Sequence, residues 1–160
     1  MDNYLDSLFK NFSAAARDAQ AKDDKYIIID KVCEYLDELA VYPFAEVLAK
    51  ILALIEAFPQ LDYGGPGPFG TLIEQHRFVD YTPALLASIG RQPSTQVIGW
   101  LDRTMMAEDF QNGQGKNPVT PLQFALCLRE TLSGSLAATD CKAFANICLK
   151  DLVKRGLIGA

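Results

Sequence analysis

Apolar residues recur at spacings of three and four along most of this chain, the pattern of helices that bury one face. Between residues 44 and 58 they are Phe44, Val47, Leu48, Ile51, Leu52, Ile55 and Phe58, and Pro43 suits the first turn of such a helix. From about Asp24 to Leu39, the residues Ile28, Val32, Tyr35, Leu36 and Leu39 share one side. The run Ile27-Ile28-Ile29 could open a strand, but the spacing that follows it is helical. The last segment opens on Thr139 or Asp140 as a cap and stops at Gly156. Lys150, Lys154 and Arg155 match the negative pole at its carboxyl end.

Short breaks near Ala21–Lys22, Val41–Pro43, Gly90–Pro93 and Ser133–Thr139 divide these segments, and two longer ones read DYGGPGPFG and QNGQGKNP. No alternating run suggests a strand. Residues 1–160 are expected to form one all-α domain of about seven or eight antiparallel helices. Such helices could stack in pairs as an alpha-solenoid does, although no self-similar period marks a repeat.

The run Gly65-Pro66-Gly67-Pro68-Phe69-Gly70 matches the dinucleotide fingerprint letter for letter. That fingerprint needs a strand before it and free N–H groups within it. Here the preceding segment reads as helix, Pro66 and Pro68 remove two donors, and no Gly-Lys-Ser/Thr follows. The run is expected to be a stiff connector that sets the angle between two helices. The loop Gln111–Asn117 is polar, is expected to be mobile, and could touch a partner.

Composition narrows the chemistry further. The N-terminal MDNYLDSLFK is not a secretory signal, and VLAKILALIEAF is interrupted by Lys50 and Glu56 and too short to cross a bilayer. A cytoplasmic protein with no membrane partner is expected. Cys33, Cys127, Cys141 and Cys148 contain no C-x-x-C pair and read as buried, reduced thiols. His76 is the sole histidine and reads as a surface or interhelical residue rather than a catalyst. With no nucleophile elbow and no metal-ligand spacing, neither a catalytic set, a metal nor a cofactor is expected.

The net charge is −5 and unevenly spread. Residues 1–62 hold twelve acids against six bases, net −6, whereas residues 63–160 hold eight against nine, net +1. An acidic half disfavours nucleic acid, which needs clustered Lys and Arg, and suits a basic protein. On the second helix Asp30, Glu34, Asp37 and Glu38 fall at i, i+4, i+7 and i+8, a stripe opposite Val32, Leu36 and Leu39. It is either a solvated face or a docking surface. Trp100 and Arg103, one turn apart, are either core residues or interface anchors.

The stretch Gly67 to Met105, about a quarter of the chain, resembles a segment of helical immunity proteins from bacterial polymorphic-toxin and contact-dependent inhibition systems. The matching elements are Gly67-Pro68, Leu72-Ile73-Glu74, Phe78, Tyr81, Leu85-Leu86, Ser88, Arg91, Pro93-Ser94 and Trp100-Leu101-Asp102-Arg103; Met105-Met106 departs from the pattern. The resemblance implies an inhibitor that binds a toxin domain and does no chemistry itself. Many toxins that cut nucleic acid are basic, so Asp30, Glu34, Asp37 and Glu38 are the expected charged anchors, with Trp100 and Arg103 second. The alternative is a helical adaptor with several weaker partners, and an enzyme of another type stands third.

Overall fold

The structure, a computed structural model, describes residues 3–106 and 115–159. The described residues fold as helices without a strand: α1 Asn3–Lys22, α2 Tyr26–Glu34, α3 Leu36–Leu39, α4 Phe44–Ala57, α5 Gly67–Glu74, α6 Phe78–Arg91, α7 Thr95–Met106, α8 Pro121–Ser133 and α9 Thr139–Lys154. The all-α expectation holds, with nine helices among the described residues where seven or eight were expected.

The extra helix comes from a break at Tyr35, which leaves the helical region at φ −116° and ψ 10°. Its N–H bonds back to Val32 at 3.0 Å, tightening the end of α2. A continuous helix would carry Asp37 and Glu38 near its negative pole. After the break they occupy the first turn of α3, where a carboxylate is tolerated better. Elsewhere the boundaries shift by a residue or two. The first break falls at Asp23–Lys25, with Asp23 at φ 51°. Thr139 lies inside α9 rather than capping it, since Ala138 is the N-cap and offers no side chain to the orphan donors. Gly156 does end the helix, at φ 73°.

Contacts between helices alternate along the chain. α1 packs on α4, α4 on α6, and α6 on α8; α2 packs on α5, and α7 on α9. Within the pairs, α1 meets α2, α6 meets α7, and α8 meets α9. Among the described residues α1, α4, α6 and α8 thus form one continuous row, with α2, α7 and α9 packed against α1, α6 and α8. Four buried rings tie the first pairs together: Phe12 and Phe69 lie 6.0 Å apart, with Phe9 5.1 Å from Phe12 and Tyr63 6.2 Å from Phe69. Between α4 and α6, Glu56 accepts two hydrogen bonds from Arg91 and one from Ser88, each at 2.9 Å. Burial alone would raise the Glu56 carboxyl, but these bonds outweigh it and hold its pKa below the usual value.

Chain re-entry before α8 is equally well tied. Asn117 accepts from the Val119 N–H at 3.0 Å and donates to the Thr104 hydroxyl at 3.1 Å. The polar loop expected to be mobile therefore ends in an anchored residue; its positions 111–114 lie outside the described residues. Thr120 and Gln123 then form a reciprocal capping box, at 3.1 Å and 2.9 Å, with Pro121 inside the first turn. Thr120→Ala should cost about 1 kcal/mol and lower the melting temperature by about 2–4 °C in a thermal unfolding scan.

Candidate functional site

The glycine run resolves into a seat for a tryptophan. The Trp100 indole N–H donates to the Pro66 carbonyl at 2.9 Å, and the side chain is 3 % exposed. A Cβ on Gly70 would lie 2.7 Å from both the indole nitrogen and the Pro66 ring. Only glycine lets α5 approach α7 this closely. Gly64 has the same need for another reason: at φ 99°, a Cβ there would meet the Gly67 backbone at 2.6 Å.

Two donors at the start of this loop are taken internally. The Tyr63 N–H donates to Gln96 and the Gly64 N–H to the Asp62 carboxylate, both at 2.8 Å, while Gln96 returns a hydrogen bond to the Gly64 carbonyl. The Gly64 N–H, opposed by burial and helped by the Lys25 ammonium, holds the Asp62 carboxyl below the usual range. A phosphate approaching Gly64 would meet the Asp62 carboxylate. The loop is a connector, as its prolines indicated.

Arg103, one turn beyond Trp100, donates to both oxygens of Glu74 at 2.6 and 3.2 Å. Trp100, Arg103, Asp62, Asp140 and the Gly64–Gly65 backbone border a hollow of about 430 Å³. The glycine run and the Trp-Arg pair, read separately in the sequence, thus meet in one place. Trp100 is buried and its polar edge is engaged by the loop; Arg103 is half-buried and paired across α5 and α7.

The four stripe acids are exposed, but they do not lie on one helix, because α2 stops before Tyr35. This corrects the single stripe expected from 100° periodicity. Asp30 and Glu34 belong to α2, with Glu34 3.7 Å from Lys31, while Asp37 and Glu38 belong to α3. Glu38 accepts a hydrogen bond from the Tyr4 hydroxyl of α1, which raises the Tyr4 pKa to about 12. Asp30 and Asp37 have no cation within salt-bridge distance among the described residues. The helices α1–α4, which come from residues 1–62, carry eight acids against five bases, a net −3.

Two features were missed from sequence. Cys33, expected to be buried, is exposed, whereas Cys141 and Cys148 are buried and all four thiols are free. Asp102 lies between α7 and α9 with a buried Oδ1 that has no hydrogen-bond partner. Burial first, and then the Asp151 charge, push its carboxyl up to about 6 against the Cys148 hydrogen bond and the Arg155 charge. The folded state therefore disfavours the ionised form: this group's contribution is best at acidic pH and worsens as pH rises from about 4 to 6. Asp102→Asn should raise stability at pH 7 by about 1 kcal/mol, the shift being discounted for solvent that reaches this half-buried site. It should also flatten the pH dependence of the melting temperature over that window.

Among the described residues no group of three or more His, Cys, Asp or Glu could hold a metal ion, and no helix is long and apolar enough to cross a membrane. No protein-family model, curated protein or solved structure matches the chain.

Proposed function

We propose that this chain is a binding protein whose acidic end receives a basic protein partner, and that the partner is a toxin domain which the chain neutralises by covering its active site or substrate surface. The observation that carries the reading is charge made spatial. The helices α1–α4 carry eight acids against five bases, net −3, and Asp30, Glu34, Asp37 and Glu38 all reach solvent there. Such an end steers a positive surface toward it and repels nucleic acid and anionic lipid. The resemblance of Gly67–Met105 to immunity proteins supplies the partner's class. Trp100 and Arg103 support the reading indirectly, by holding α5 against α7 behind the acidic pairs.

Capture of the tagged chain from the cells that make it, with the bound material identified by mass spectrometry, tests this. One basic partner near 1:1 is the expected result. Several substoichiometric partners would favour an adaptor instead, and an acidic partner would overturn the electrostatic argument.

A further inference from the structure

We propose that three adjoining hollows around Gln60 form one groove, and that its occupant is an extended segment of a protein partner with one large apolar residue between Lys or Arg residues. The inference rests on the reading of the chain as a binding protein, but it uses none of Asp30, Glu34, Asp37 and Glu38.

The hollow beside Trp100, about 430 Å³, is the middle of the three. It shares Gln60, Leu61 and Asp62 with a hollow of about 530 Å³ at the α1–α2 turn. It shares Gln60, Thr95 and Asp140 with one of about 320 Å³ at the α6–α7 and α8–α9 turns. The groove thus follows connecting turns rather than the face of one helix, a course that suits an elongated occupant. Its middle is mostly apolar, bordered by Leu61, Gly99 and Trp100, whereas the two flanking hollows are mixed. A Cβ on Gly65 would meet nothing within 4 Å, and one on Gly99 nothing nearer than 3.8 Å outside its own helix, so the middle is open beside both glycines. A cavity of about 150 Å³ already holds a benzene ring, so a Leu, Met or Phe side chain fits there together with its backbone.

Charge on the lining itself selects the occupant. Asp23 and Asp24 border the hollow at the α1–α2 turn, Asp62 borders that one and the middle, and Asp140 borders the middle and the last. The two bases that line the groove are engaged: Lys25 with Asp62 at 3.1 Å, and Arg103 with both oxygens of Glu74. Lys22 and Lys142, neighbours of these acids in sequence, border none of the three hollows. Among the described residues Asp23, Asp24 and Asp140 have no cation within salt-bridge distance. Uncompensated carboxylates therefore flank an apolar middle. Acidic peptides, nucleic acid and anionic membranes are repelled by them, whereas a segment ordered as base, apolar residue, base satisfies every part.

The probe is a displayed library of random peptides selected on the full chain, the winners being titrated as labelled synthetic peptides. Gln60 borders all three hollows, is exposed and makes no hydrogen bond among the described residues, so Gln60→Trp fills the junction without touching the core. Winners should carry Leu, Met or Phe between Lys or Arg. Their affinity should fall about tenfold or more in Gln60→Trp, with the melting temperature unchanged. The triple variant Asp23→Asn, Asp24→Asn, Asp140→Asn keeps the shape of the lining, and Asn suits the φ of 51° at position 23. It should weaken the winners at low salt but not near 1 M. A variant lacking the four stripe acids should bind them as wild type does. No enrichment, winners without bases, or binding indifferent to Gln60→Trp would overturn the groove. The captured partner separates this failure from the broader one. If it loses affinity for the stripe variant yet binds Gln60→Trp as it binds wild type, the acidic end stands and the groove falls; the reverse result keeps the groove and removes the stripe. If it ignores both variants, both readings fall.

Discussion

Phe69→Ala should destabilise the fold by about 3–5 kcal/mol and lower the melting temperature by about 10 °C. Phe69 has no exposed surface. Its ring stacks near parallel with Phe9 at 6.3 Å and meets Phe12 edge-on at 6.0 Å and Tyr63 at 6.2 Å. Those partners come from α1 and from the connector before α5, so one ring ties α5 and its connector to the distant α1. Collapse around the lost ring is restricted. The Tyr63 hydroxyl is held by the Phe58 carbonyl at 3.1 Å, its N–H by Gln96, and the next residue, Gly70, is wedged against Trp100. A site that cannot relax retains its cavity, which places the cost toward the upper part of that range. Leu126→Ala, at a half-exposed position of α8, is the control and should change stability by less than about 0.5 kcal/mol. Urea unfolding of both variants provides the measurement. A Phe69 effect below about 1 kcal/mol would mean that the aromatic cluster does not tie α1 to α5.

Helical periodicity made the fold class legible because each helix buries a single face, and a period of three and four reports that burial directly. Phe44 to Phe58 shows this: Val47, Leu48, Ile51, Leu52 and Ile55 are all buried in α4. The break at Tyr35 was not legible, since Ile28, Val32, Leu36 and Leu39 keep the same phase on either side of it. Periodicity records which face is buried, not whether the axis bends. The glycine run could be read as a connector from its prolines, but not as the seat of Trp100, which lies thirty-four positions from its hydrogen-bond partner Pro66. Such tertiary fits leave no local signal.

Neutralising the four stripe acids together, as Asp30→Asn, Glu34→Gln, Asp37→Asn and Glu38→Gln, should slow association with the captured basic partner by about ten- to a hundredfold at low ionic strength. Dissociation should change less, because exposed charges act mainly on the approach of the two surfaces. Those carboxylates are solvent-exposed, and among the described residues Lys31 is the one cation within salt-bridge distance of any of them, while Tyr4 donates to Glu38. Their removal therefore relieves repulsion within α2 and α3 as much as it removes contacts, and thermal stability should stay within about 1 kcal/mol of wild type. Tyr4 supplies an internal check. Its hydroxyl is held at a pKa of about 12 chiefly by the hydrogen bond to Glu38, so replacing that carboxylate should bring its ultraviolet titration back toward 10.0. A variant with unchanged helicity, a lowered Tyr4 pKa and an unaltered association rate would show that the acids were removed cleanly and that the acidic end does not steer the partner. A large loss of rate that fades as salt is raised through physiological strength would place the encounter on α2 and α3, because screening weakens only interactions that act through solvent.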